Sequence, residues 1–140
     1  MVIDHICIAV KDVDAAIKYW GKVFGYTQMT EVVLNTKQKV LVAFVEKENS
    51  TLVKLIQPSD DTSPLNNFMK KGGGFHHICF KTDDKLEEKV VELKANGLIP
   101  LVPPQTGEAF DNNLIAFMFG RGNLNVEVID TDIKAKRIKK

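Results

Sequence analysis

Cysteine is scarce: Cys7 and Cys79 are the only two in 140 residues. Two are too few for a disulfide framework, and a chain this long can bury a core without one. No run of about 18 apolar residues occurs, which argues against a membrane-spanning helix. The opening MVIDHICIAV carries Asp4 and His5 and lacks the basic start and small-residue cleavage site of a secretory leader. These absences point to a cytoplasmic globular protein. A strong excess of one charge is also missing, since the net is +1. Five positive charges fall in the last seven residues, from Lys134 to Lys140; subtracting them leaves the rest at −4. A mildly acidic body offers no electrostatic footprint for nucleic acid or an anionic membrane. The basic run, 134–140, reads as a solvated terminus.

The chain contains a repeat. His5-Ile6-Cys7-Ile8 returns as His77-Ile78-Cys79-Phe80, and Gly25 as Gly97, both 72 residues later. Leu41-Val42-Ala43-Phe44 returns as Leu114-Ile115-Ala116-Phe117, and Val53-Lys54-Leu55-Ile56 as Val126-Glu127-Val128-Ile129, both 73 residues later. Two copies are too few and too long for a solenoid. They predict one α+β domain over 1–133, with a first module at about 1–57, a linker at about 58–74 and a second module at about 75–130.

Each module reads as strand, helix and three strands. Residues 2–10 and 75–81 are rich in β-formers. Asp12 or Asp14 caps the first helix, whose apolar positions are Ile17, Tyr19, Trp20, Val23 and Phe24, and Gly25 ends it in a left-handed cap. Asp83 or Asp84 caps the second, which runs to Lys94 before Asn96-Gly97. The remaining strands fall near 28–34, 39–46 and 51–57, and near 98–102, 113–119 and 123–129, giving eight in all. In the linker, Ser63-Pro64 opens a short helix containing Leu65, Phe68 and Met69. Gly72-Gly73-Gly74 leads into a strand, not the helix a phosphate-binding loop requires, and reads as a flexible joint. Tyr19 and Trp20 read as core residues. The Pro103–Phe110 segment, with Asn112, reads as a surface connection or a loop that closes over a ligand.

Side chains alternate faces along a strand. His5, Cys7 and Ala9 share one face, as do His77, Cys79 and Lys81, with His76, Ile78 and Phe80 opposite. The repeat makes His5 equivalent to His77, and Lys54 to Glu127. If the modules close about a pseudo-twofold axis, these four side chains meet. His5, His77 and Glu127 are suitable ligands for Zn, Co, Ni, Mn or Fe. Cys7 and Cys79 share the histidines' faces and read as small buried hydrophobes.

The segment Asp4-His5-Ile6-Cys7-Ile8-Ala9-Val10 resembles the opening strand of vicinal oxygen chelate proteins, the glyoxalase/bleomycin-resistance family. The segment Asp61-Thr62-Ser63-Pro64-Leu65, with Phe68 and Gly72 to Phe80, is similar to the middle of methylmalonyl-CoA epimerases, and Val126-Glu127-Val128 to their closing strand. The resemblance implies paired βαβββ modules forming an eight-stranded, cupped mixed sheet around a cavity. It further implies a homodimer, and that His77 rather than His76 is the ligand. There are two departures. Lys54 stands where family members place a Gln or Glu ligand, and a protonated ammonium has no lone pair to give. The carboxylate that some epimerases use as a base has no counterpart on the strand 39–46. Both weigh against methylmalonyl-CoA as the substrate, and no motif marks glutathione, CoA or a sugar nucleotide.

Three functions follow. One is a metal-dependent isomerase or lyase on a small oxygen-chelating substrate, with Glu127 as ligand and base and Lys54 as proton donor or oxyanion partner. Another is a non-haem iron dioxygenase-like enzyme built on two histidines and one glutamate. The third is a metal-free, resistance-type binding protein in which Lys54 pairs with Glu127.

Overall fold

A computed structural model describes residues 1–139. Lys140 lies outside the described residues. The elements run β1 Val2–Ala9, α1 Val13–Phe24, β2 Thr27–Gln28, β3 Val33–Asn35, β4 Val40–Glu46, β5 Leu52–Pro58, α2 Leu65–Lys70, β6 Gly74–Lys81, α3 Leu86–Ala95, β7 Ile99–Pro100, β8 Gln105–Gly107, β9 Asn113–Gly120 and β10 Leu124–Ile129. The fold is α+β, an open, cupped mixed sheet with order β2-β4-β5-β1-β6-β10-β9-β7; β3 also pairs with β4, and β8 with β9. There are ten strands where eight were expected, because the second strand of each repeat is broken in two. In the second repeat Pro103 and Pro104 lie in the break between β7 and β8, and proline has no amide to give a ladder.

The registers reproduce the repeat. β1 runs parallel to β5 with Cys7 opposite Lys54, and β6 runs parallel to β10 with Cys79 opposite Glu127. β1 and β6 pair antiparallel and join the two halves at the centre. Cys7 and Ala9 bury into the concave side with Phe44, Ile56, Phe110 and Cys79. Ile6, Ile8 and Val10 pack on the other side against Ile17 and Trp20 of α1, and Ile78 and Phe80 take the matching place against Leu86 and Val90 of α3.

Asp12 caps α1, its side chain accepting from the Ala15 amide, and Gly25 closes the helix at φ 75°. The start of α3 differs from expectation: Lys85 is the cap residue, with no side-chain cap of its own. The Leu86 amide is instead met by Asp130 Oδ2 at the end of β10, while Thr82 Oγ1 accepts from the Asp84 amide. Tyr19 is not core; it lies 57% exposed on α1 while Trp20 packs inward. All of Gly72, Gly73 and Gly74 have positive φ. A Cβ on Gly73 would meet Ala9 O and Met69 Cε at 2.9 Å, whereas one on Gly72 or Gly74 would meet nothing within 4 Å, so Gly73 is pinned against β1 and α2 while its two neighbours stand in open space.

The basic terminus also departs from a solvated tail. Lys134 is buried, pairs with Asp4 at 3.2 Å and stands over the rings of Phe44 and Phe110. Beyond it, Ala135 N donates to Ala109 O, and Ile138 N to Met29 O. No described helix is long and apolar enough to cross a membrane.

Candidate active site

Four buried polar side chains from the four central strands converge: His5 on β1, Lys54 on β5, His77 on β6 and Glu127 on β10. Glu127 is the hub. Its Oε1 lies 3.0 Å from His5 Nε2 and 3.1 Å from His77 Nε2, and Lys54 Nζ lies 3.3 and 3.2 Å from Oε1 and Oε2. Burial alone would raise the Glu127 carboxyl, but the Lys54 ammonium and the two histidines outweigh it and hold the group well below the usual carboxylate range. For Lys54, burial pulls down and Glu127 pulls up more strongly, so the ammonium is held above its ordinary value. The pair is therefore ionic. Burial keeps His77 neutral, with a pKa lowered to about 4 despite Glu127.

Two further residues, which parity did not find, complete the cluster. The β1–β6 ladder slips at two places: Ile3 pairs with Phe80 and His5 with Cys79, passing over Asp4, while Cys7 pairs with His77 and Ile8 with Phe75, passing over His76. Bulges of this kind re-aim a side chain. Each bulged residue bonds the Nδ1 of the histidine that follows it: Asp4 Oδ2 to His5 Nδ1 at 2.6 Å, and His76 Nδ1 to His77 Nδ1 at 2.7 Å. Asp4 and His76 are 72 residues apart, so the repeat offset relates them without marking either as part of the site. Gln57, on the opposite face from Lys54, is engaged elsewhere, its Oε1 accepting from the Val13 amide at the start of α1.

The cluster floors a cavity of about 450 Å³ in the cup. Lys54, His76 and His77 border it, with Leu65, Phe68, Phe117 and Gln105 among the walls. His5 and Glu127 are fully buried behind them. The Pro103–Phe110 segment serves both layers. Gln105 lines the cavity, whereas Phe110 is buried, stacks on His5 and lies 5.2 Å from Lys54 Nζ. Cys7 and Cys79 are free and buried, and burial pushes the Cys7 thiol up to about 12. Such thiols stay protonated at neutral pH and serve packing.

The ligand atoms of His5, His77 and Glu127 lie within 4.8 Å of one another, as a metal centre requires. Both oxygens of that carboxylate, however, already face the Lys54 ammonium. The donor set therefore suits a divalent ion, and the set as filled by Lys54 does not.

The sequence pattern of the glyoxalase/bleomycin resistance protein/dioxygenase superfamily matches residues 4–117. The chain is 37% identical over 84 residues to the mitochondrial methylmalonyl-CoA epimerase of Dictyostelium discoideum, covering 59% of this chain and 49% of that protein. It is 34% identical over 94 residues to the human mitochondrial methylmalonyl-CoA epimerase, covering 66% and 52%. The chain thus spans about half the length of these curated relatives. The crystal structure of methylmalonyl-CoA epimerase from Mycobacterium tuberculosis superposes with a TM-score of 0.81 at 25% identity, over 92% of this chain and 87% of that one.

Proposed function

The chain belongs to the glyoxalase/bleomycin resistance protein/dioxygenase superfamily, and from that membership we propose that it is an isomerase of the epimerase type. It moves a proton at the carbon beside the thioester carbonyl of a malonyl-type acyl-CoA. The names of the relatives support the reaction class. The observation that carries the reading is the hydrogen-bonded row His76–His77–Glu127, which ends beside Lys54 on the cavity floor.

The proton positions in that row follow from the network. An ionised carboxylate only accepts, so His77 donates through Nε2 to Glu127. Neutral His77 then carries its lone pair on Nδ1 and accepts from His76 Nδ1. This leaves the lone pair of neutral His76 on Nε2, which has no hydrogen-bond partner among the described residues. We assign His76 as the general base. It takes the proton from the α-carbon, and the C–H electron pair moves into the thioester carbonyl to give an enolate oxygen. Solvent returns a proton to the opposite face of the enolate carbon while the protonated His76 gives its own proton to solvent, so the centre inverts and the protons balance. His77 and Glu127 position the base and stabilise the charge it gains, and Lys54 stands at the floor as the cation nearest the developing oxyanion. Glu127 therefore acts through His77; its two oxygens are both engaged behind the cavity wall.

The test is to incubate one epimer of methylmalonyl-CoA with the protein and follow the epimer ratio. The ratio should approach equality at a rate proportional to protein. A folded protein that leaves the single epimer unchanged removes the epimerase reading.

A further inference from the structure

The Lys54 position is the second repeat's Glu127 position in the first repeat, one a cation and the other an anion. Their charges cancel inside a region where both residues are almost wholly buried. A divalent ion added between His5, His77 and Glu127 would leave that buried cluster with two uncompensated positive charges, which burial strongly disfavours. Lys54 is also fixed from several sides. Its Nζ faces both Glu127 oxygens and lies 5.2 Å from the centre of the Phe110 ring. Of these two charged groups, Lys54 alone borders the cavity. An ammonium has three N–H donors, and the two contacts to Glu127 leave one to spare on a residue that lines the cavity.

We infer that the Lys54 ammonium is the resident cation of this site, holding the place against Glu127 that a divalent ion would take and offering its remaining N–H to an anionic oxygen of the bound acyl group. The inference rests on the isomerase reading only for the identity of that oxygen. The exclusion of metal follows from the Lys54–Glu127 geometry. The site then works without a divalent ion, and its ligands are anions recognised by a hydrogen-bonding ammonium: a carboxylate in the ground state, an enolate oxygen in the reaction.

The test is isothermal titration of chelator-washed protein with Zn, Co, Ni and Mn in the absence of substrate. Each of the ion's two charges, at about 4 Å from the ammonium and an effective dielectric of about 20, is repelled enough to weaken binding roughly a thousandfold. Wild type should bind each ion at least a hundredfold more weakly than Lys54→Gln, and His77→Ala placed on Lys54→Gln should abolish the gain. Malonate, titrated in parallel without metal, should bind wild type at least tenfold more tightly than Lys54→Gln. Stoichiometric, tight binding of any of these ions by wild type overturns the inference, and does so even if Lys54→Gln fails to fold. A folded Lys54→Gln that gains no metal affinity overturns it as well, because the three donors were then never held back by the lysine. None of these titrations requires turnover, so a protein that fails to epimerise an acyl-CoA still gives a clear answer here.

Discussion

Lys54 Nζ stands 3.2 Å from Glu127 Oε2, and the two residues hold equivalent registers on β5 and β10, opposite Cys7 and Cys79. A duplicated module has thus met itself across the β1–β6 seam with opposite charges at one repeated position. The ion pair is buried on both sides, so it is not screened as a surface pair would be.

Removing one partner should cost far more than removing both. Lys54→Met leaves Glu127 buried without its cation and should destabilise by about 3–5 kcal/mol, whereas the double variant Lys54→Met, Glu127→Leu should recover most of that. Urea unfolding at pH 7 measures both. A single-variant cost below about 1 kcal/mol would mean that the pair does not persist in solution.

Stability should fall with acid in two stages. His77 is held at about 4 against an ordinary 6.5, so its contribution is present above 6.5 and is lost as pH falls toward 4, because the unfolded chain takes up the proton first. His76, also lowered by burial, acts in the same sense. Glu127 and Asp4 lie below their ordinary values, so their contributions are present above about 4.5 and are lost below it. The urea midpoint of wild type should decline between pH 7.5 and 5, and His77→Gln should flatten that decline. An unchanged slope in the variant would contradict a neutral, buried His77.

The C-terminal segment should contribute to stability through Lys134. Its ammonium pairs with Asp4, which in turn holds His5 Nδ1. Lys134→Ala should lower stability by about 2 kcal/mol, while Lys136→Ala, on an exposed side chain, should be neutral. Equal melting temperatures for Lys134→Ala and wild type would show that the segment is not docked.

Much of this was legible in the sequence because strand parity and a 72–73 residue offset are both simple periodicities. They placed His5, Lys54, His77 and Glu127 on the strands whose side chains converge. Parity failed at Asp4 and His76, where a bulge adds one residue to a strand and turns it toward the site; the 72-residue offset relates the pair without marking either as part of the site. It also failed at Lys134, since five cations in seven residues look solvated until a buried carboxylate is placed beside one of them. The α3 cap was missed because Asp130, its partner, is 44 residues away in sequence.

Solvent deuterium incorporation into the α-carbon of methylmalonyl-CoA, followed by NMR, bears most directly on the assignment of His76. Wild type should label the α-carbon catalytically, and His76→Gln should slow labelling by about 10²–10⁴-fold with the fold intact. Labelling by His76→Gln at the wild-type rate, or none by folded wild type above the uncatalysed rate, would contradict the account.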